Sequence, residues 1–196
     1  MKNILITGHS KGIGKYLNYN LKDNHNVFGF SRENGFDLTQ IETFEKIKES
    51  IGNKKIDILI LNAGVGEFGK FEDNSLEKYE NLIILNLLAN IRLLKRLEEN
   101  IDKNTKIIFI GSIISKKFMK NAAVYQASKF GLRGFAGGLK NEGKKIFLLN
   151  PSIVDTNFHK NKVDLDKRFK ETKIIDILEV IKNIISGNEK RFEIDL

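Results

Sequence analysis

The chain has 196 residues, no cysteine and a formal charge of +8, with 41% hydrophobic and 30% charged residues. That length suits one core of ordinary size, and the absence of cysteine excludes a disulfide framework, thiolate metal sites and a cysteine nucleophile. The positive charge resides in lysines scattered along the chain, with Arg32, Arg92, Arg96, Arg133, Arg168 and Arg191 as the arginines; beside abundant isoleucine and asparagine this is a bias of base composition, not the signature of a nucleic-acid partner.

In chain order, the opening segment 1–8 holds no long apolar stretch with a cleavage site, and no apolar run reaches the roughly 18 residues that span a bilayer. A cytoplasmic location without membrane contact is the expectation. Asn3–Thr7 reads as a strand ending at a glycine, followed by a helical pattern through Ile13, Leu17 and Leu21. Residues 27–31 form a second apolar run, and 35–38 a very short third strand. Thr39 then caps a helix carrying Ile41, Phe44, Ile47 and Ile51. Residues 56–61 are nearly all apolar, as in a strand covered on both faces. One long helix over 76–97 leads to a strand at Lys106–Ile110, a helix over 122–140 and a strand at Lys145–Asn150. An irregular charged loop, 157–173, precedes a helix over 174–185 and a last edge strand at 191–196. This alternation predicts an α/β fold: one doubly wound parallel sheet in three layers, as a single domain over residues 1–196.

Thr7-Gly8-His9-Ser10-Lys11-Gly12-Ile13-Gly14 joins the first strand to the first helix. Glycine lets the backbone turn sharply and approach a phosphate, while the helix N-terminus offers unpaired N–H groups to an anion. The spacing differs from G-x-G-x-x-G, and a glycine turn without a ligand would read the same way. After the second strand stands Ser31-Arg32. An acid at that point bonds an adenosine ribose, whereas a cation accommodates a 2′-phosphate. Arg32, with Lys11 as a second cation, favours NADP over NAD unless the guanidinium is merely solvated. Asn62-Ala63-Gly64, at the carboxyl end of a buried strand, leaves room for a flat ring. Tyr125 and Lys129 are four apart and share one helix face. An ammonium beside a phenol of pKa about 10 is expected to lower it and make a useful acid/base. Ser112, just past Lys106–Ile110, brings a hydroxyl toward the same space.

On these residues the chain resembles the short-chain dehydrogenase/reductase family over essentially its whole length. Thr7, Gly8, Gly12 and Gly14 match that family's Thr-Gly-x-x-x-Gly-x-Gly turn, with Ser10, Lys11 and Ile13 inside it. Asp37, followed by Leu38, resembles the aspartate beside the adenine, and Asn62-Ala63-Gly64 the Asn-Ala-Gly turn. Asn86 resembles the structural and proton-relay asparagine. Ser112, Tyr125 and Lys129 fall at the catalytic serine, tyrosine and lysine, and Pro151 and Thr156 in the segment that holds the nicotinamide. The chain departs from the pattern at Ser152, where the family has glycine, and in a short loop after Thr156, which implies an open site.

The resemblance implies a Rossmann-like, NADPH-dependent enzyme that reduces a ketone or aldehyde, or oxidises the alcohol. Ser112 and Tyr125 would bind the carbonyl oxygen and Tyr125 exchange the proton. Lys129 would hold the nicotinamide ribose and tune the phenol, with Asn86 keeping a water in line. A homodimer or homotetramer through helices 76–97 and 122–140 is also implied, with Leu87, Leu88 and Leu94 as contact or core residues. A non-catalytic NADP-binding sensor on the same fold is the alternative, and the intact Ser112, Tyr125 and Lys129 argue against it. His9, His25 and His159 share no metal-ligand spacing, so no metal is expected. Phe118, Phe130, Phe135 and Phe158 are candidates for a substrate pocket or for core and subunit packing.

Overall fold

Strands that are apolar on both faces need helices above and below them, and the chain supplies these in alternation. A computed structural model describes residues 1–154 and 171–196. Their elements are β1 (Asn3–Thr7), α1 (Gly12–Leu21), β2 (Asn26–Phe30), α2 (Thr43–Ile51), β3 (Ile58–Leu61), α3 (Leu76–Ile83), α4 (Ala89–Arg96), β4 (Lys106–Ile110), α5 (Ala123–Asn141), β5 (Lys145–Asn150), β6 (Ile153–Val154), β7 (Glu171–Thr172), α6 (Ile174–Ser186) and β8 (Glu193–Asp195). Six strands pair in the order β2-β1-β3-β4-β5-β8, all parallel, and β6 pairs with β7 apart from them.

Alternate side chains of each strand face opposite layers. Leu5, Leu59, Ile107 and Leu148 pack against Ile47 of α2, Leu93 of α4 and Leu132 of α5. Ile4, Ile60, Ile108 and Leu149 pack against Leu17 of α1 and Ile181 of α6. The three-layer α/β sheet expected from the alternation is therefore observed. Strand order reverses at β1, whose neighbours are β2 and β3. Ligand crevices in such sheets open at the carboxyl ends beside that point. Among the described residues no helix is long and apolar enough to cross a membrane.

Three local expectations need correction. Residues 35–38 form no strand, because Arg32–Asn34 make a 3₁₀ turn and Phe36 folds back to meet Phe30 edge-on, 4.7 Å between centroids. Thr39 is not a helix cap. Its N–H and hydroxyl both donate to Asp37 Oδ1 (3.0 and 2.8 Å), a local side-chain turn that delays the helix to Thr43 and leaves Ile41 64% exposed. The helix over 76–97 is not uniform, since residues Ile84–Leu88 widen into a π turn centred on Asn86. Such a turn inserts a residue into the α ladder and is frequent at functional sites. Of the candidate contact residues, Leu94 is core, Leu87 packs against α5 at Gly131, and Leu88 is exposed.

Candidate functional site

The glycine turn sits at the reversal of strand order. Gly8 (φ 69°) and Gly12 (φ 50°) adopt left-handed backbone, which L side chains rarely do. The Gly8 N–H donates to Phe30 O at 2.8 Å. Thr7 Oγ1 accepts from the N–H groups of Asn62 and Ala63 (3.0 and 3.1 Å), and Asn62 Nδ2 donates to the carbonyls of Thr7 and Gly8 (3.0 and 3.2 Å). Asn62 thus stitches the turn after β3 to the turn after β1. Gly14 lies beneath both, where a Cβ would come 2.1 Å from Gly8 O and 2.6 Å from Asn62 Nδ2. Gly14→Ala is therefore expected to cost about 3 kcal/mol or more by overpacking against backbone. Urea unfolding measures it, and an unchanged midpoint would mean that the turn relaxes freely.

Above this turn a cleft of about 790 Å³ runs along the carboxyl edge of the sheet. Gly8, Ser10, Lys11, Gly12, Ile13, Ser31, Arg32, Asp37 and Leu38 line it around the glycine turn, Asn62, Ala63 and Gly64 line it beside Gly8, and Ser112, Tyr125, Lys129 and Pro151 line it where β4, α5 and β5 meet. Of the expected binding residues Gly14 shapes the floor, and Thr156 lies outside the described residues. Helix α1 begins without a side-chain cap or an acidic residue in its first turn, leaving its N–H groups facing the cleft. This glycine cradle, open helix end and adjacent cations fit a dinucleotide phosphate group. At the β2 end Ser31 replaces an acid, Arg32 is exposed, and Glu33 pairs with Lys11 at 3.6 Å. The Asp37 carboxylate is engaged by Thr39. Lining residues missed from the sequence include Tyr16 on α1, Glu33, Val65 and Ile174. Tyr16 lies four residues past Gly12 on the same helix, and that spacing was the available signal.

At the other end β4 delivers Ser112 and α5 presents Tyr125 and Lys129. Ser112 starts a 3₁₀ turn (Ile113–Lys116), its Oγ accepting from Ile114 N at 3.3 Å. Tyr125 and Lys129 are 4% and 7% exposed. The Lys129 Nζ stands 5.9 Å from the Tyr125 ring centroid and donates to Ile110 O at 3.1 Å. Burial pushes the Tyr125 phenol up to about 12, while its hydrogen bond with the Ser112 hydroxyl pulls the other way. Burial pushes Lys129 down to about 8. The expected lowering of the phenol by the lysine is not found: loss of water around the ring raises it, and the group that pulls it back is Ser112, not Lys129. Phe68 packs on Tyr125 at 5.2 Å between centroids, with Leu82, Ile114 and Ala122 around it.

Asn86 does not line the cleft. Its Nδ2 donates to Val65 O and Ser128 Oγ (2.9 and 3.0 Å) and its Oδ1 accepts from Val65 N at 2.9 Å. Ser128 Oγ donates in turn to Tyr125 O at 2.7 Å. With these bonds made, the Asn86 carboxamide clamps the turn after β3 to α5, so the side chain acts on position. A Cβ on Gly64 would come 3.1 Å from Asn86 Oδ1, and glycine there keeps the clamp short. Of the phenylalanines, Phe135 belongs to the core against Phe109, while Phe118, 94% exposed, stacks on Phe130 away from the cleft. Phe158 lies outside the described residues, as does most of loop 157–173. His9 packs its ring against Gly29, where a Cβ would fall 2.5 Å from His9 Cγ.

A family model described as short chain dehydrogenase matches residues 20–167. The 3-oxoacyl-[acyl-carrier-protein] reductase FabG of Buchnera aphidicola (subspecies Schizaphis graminum) is 31% identical over 186 residues, covering 82% of this chain and 76% of that protein. The crystal structure of a short chain dehydrogenase family protein from Francisella tularensis superimposes with a TM-score of 0.84 at 25% identity, covering 100% of this chain and 97% of that one. A short chain dehydrogenase from Burkholderia cenocepacia, solved in complex with NADP, shares the fold with a TM-score of 0.82 at 20% identity, covering 100% and 96%.

Proposed function

Because this chain belongs to the short chain dehydrogenase family, we propose that it is an NADPH-dependent oxidoreductase that reduces a ketone or aldehyde to an alcohol, or runs the reverse, with Tyr125 as acid/base. The observation that carries this reading is the joining of Ser112, Tyr125 and Lys129 at one end of a cleft whose other end is the glycine cradle with Arg32 and Lys11. Gly8, Gly12 and the open end of α1 would hold the cofactor's phosphates, with Arg32 and Lys11 toward the 2′-phosphate. Pro151 and Thr156 would flank the nicotinamide, which supplies the hydride chemistry.

The hydroxyls of Ser112 and Tyr125, joined by a hydrogen bond, would together bind one substrate oxygen. Negative charge arriving on a substrate oxygen there makes an alkoxide, a stronger base than phenolate even for this buried phenol. Tyr125 therefore donates its proton to it, and Ser112 holds the oxygen in line. The phenolate left behind would be stabilised by the Lys129 ammonium one turn away, 5.9 Å from the ring centroid, an attraction that arises only once the phenol is charged. Asn86 holds the backbone of Tyr125 through Ser128. The exposed Leu88, Ile91 and Phe130 support a homodimer or homotetramer built on the long helices, and a cytoplasmic location accords with the family.

NADPH oxidation with a panel of ketones, aldehydes and quinones, led by a 3-oxoacyl thioester on the strength of the Buchnera relative, tests the reading. Turnover with one of them is expected; tight NADPH binding with no turnover across the panel would replace it with the sensor function. Arg32→Asp is expected to weaken NADPH binding about 10- to 100-fold, the loss of charge-assisted phosphate bonds, and NADH binding much less. Fluorescence titration of both nucleotides measures this, and equal losses would remove the preference.

A further inference from the structure

Three of the elements that carry the proposed chemistry meet again behind the cleft, at one carboxylate. Glu193, in β8, accepts from Arg133 Nε and Nη2 (2.8 and 3.1 Å), from Asn150 Nδ2 (2.8 Å) and from Lys116 Nζ (3.2 Å). Lys116 lies four residues past Ser112, at the end of the turn that the serine opens. Arg133 lies four residues past Lys129, one turn further along α5. Asn150 ends β5 immediately before Pro151, and a Cβ on Gly111, the residue before Ser112, would fall 2.5 Å from its Oδ1. Asp195 reinforces the junction, accepting from Lys116 Nζ at 2.7 and 2.9 Å and from Asn150 Nδ2 at 3.1 Å.

We propose that Glu193 is a positioning residue: it ties the Ser112 turn, the Tyr125–Lys129 helix and the end of β5 to β8, and so sets the register of the Ser112 hydroxyl against the Tyr125 phenol. The proposal rests on the catalytic reading above. Its side chain is only 17% exposed and its pairing with Arg133 is bidentate, a geometry that resists rotation. Partial burial raises the carboxyl, but bonds from Arg133, Asn150 and Lys116 hold it at about 2, so the junction stays charged at working pH. Displacing reacting groups by about 1 Å can cost on the order of 100-fold in rate, so a junction this stiff matters to turnover as well as to folding.

The test uses the full chain as Glu193→Gln, Lys116→Met and the double variant, with the tyrosines labelled at Cζ and the Tyr125 resonance assigned by its loss in Tyr125→Phe. Glu193→Gln is expected to move the Tyr125 resonance as its bond with Ser112 loosens, and to lower kcat about 10- to 100-fold while the NADPH KM stays within about two-fold. Lys116→Met, which leaves the Arg133 pair intact, should reproduce part of both changes even if Glu193→Gln fails to fold, and the double variant should fall short of the sum of the two single effects, as for residues of one network, its excess over Glu193→Gln being the lost Lys116–Asp195 pair. A lowered melting temperature with an unmoved Tyr125 resonance and unchanged kcat in Lys116→Met would overturn the proposal and leave Glu193 a purely structural residue. If the wild type turned over no substrate the catalytic reading would fall, while the resonance would still decide whether Glu193 sets the Ser112–Tyr125 contact.

Discussion

Replacing Tyr125 with phenylalanine is expected to lower kcat by about 10²- to 10⁴-fold, the usual contribution of a positioned acid/base, with NADPH affinity nearly unchanged. The ring fills the same space beside Phe68, Leu82 and Ile114, so the core cluster survives and only the hydroxyl and its bond to Ser112 are lost. Stability in alkali gives an independent check. A folded phenol at about 12 against an unfolded value near 10 binds its proton more tightly when folded. It contributes stability fully present below pH 10 and lost as pH rises through 12. The variant should therefore lose less stability than wild type between pH 10 and 12, by melting temperature against pH. Retention of most of the activity would show that another group moves the proton.

Lys129→Met is expected to abolish most turnover and, at neutral pH, to raise stability. Burial depresses the folded ammonium to about 8, below its unfolded value of about 10.5. Between those values the unfolded chain binds the extra proton, so wild-type stability climbs as pH rises from 8 to 10.5. Below pH 8 the burial cost is present in full, at most about 3 kcal/mol, and methionine removes it while filling similar volume. Loss of the bond to the Ile110 carbonyl offsets part of that gain. The melting temperature of the variant should exceed that of wild type at pH 7, with the difference shrinking toward pH 10.5. A difference that stayed constant over this range would mean the ammonium is not desolvated. A residue that costs stability where it sits and gains it when removed is the pattern of a site kept for function.

Local pattern carried far in this chain. The apolar runs of β1, β3, β4 and β5 announced buried parallel strands, since only a sheet covered on both sides makes so many consecutive side chains apolar. The glycine turn was legible because Gly8 and Gly12 need positive φ and Gly14 admits no Cβ, requirements that act at single positions. Expectation failed where a side chain overrode propensity: Asp37 captured Thr39 and moved the start of α2, and Phe36 preferred the ring of Phe30 to a strand. Periodicity could not separate a π turn from an α turn at Asn86, because the difference is one residue in the hydrogen-bond ladder.

Residue order alone determined the alternation of strands and helices, the cradle at residues 8–14, the cationic Ser31-Arg32 end and the four-residue spacing of Tyr125 and Lys129, since each depends on neighbours within a turn or two. Only the tertiary structure decided the direction of the pKa shifts of Tyr125 and Lys129, the commitment of the Asn86 carboxamide to Val65 and Ser128, and the convergence of Lys116, Arg133 and Asn150 on Glu193. These depend on burial and on contacts between distant segments. Desolvation and long-range hydrogen bonding exist only once the layers have closed, and no window of sequence contains them.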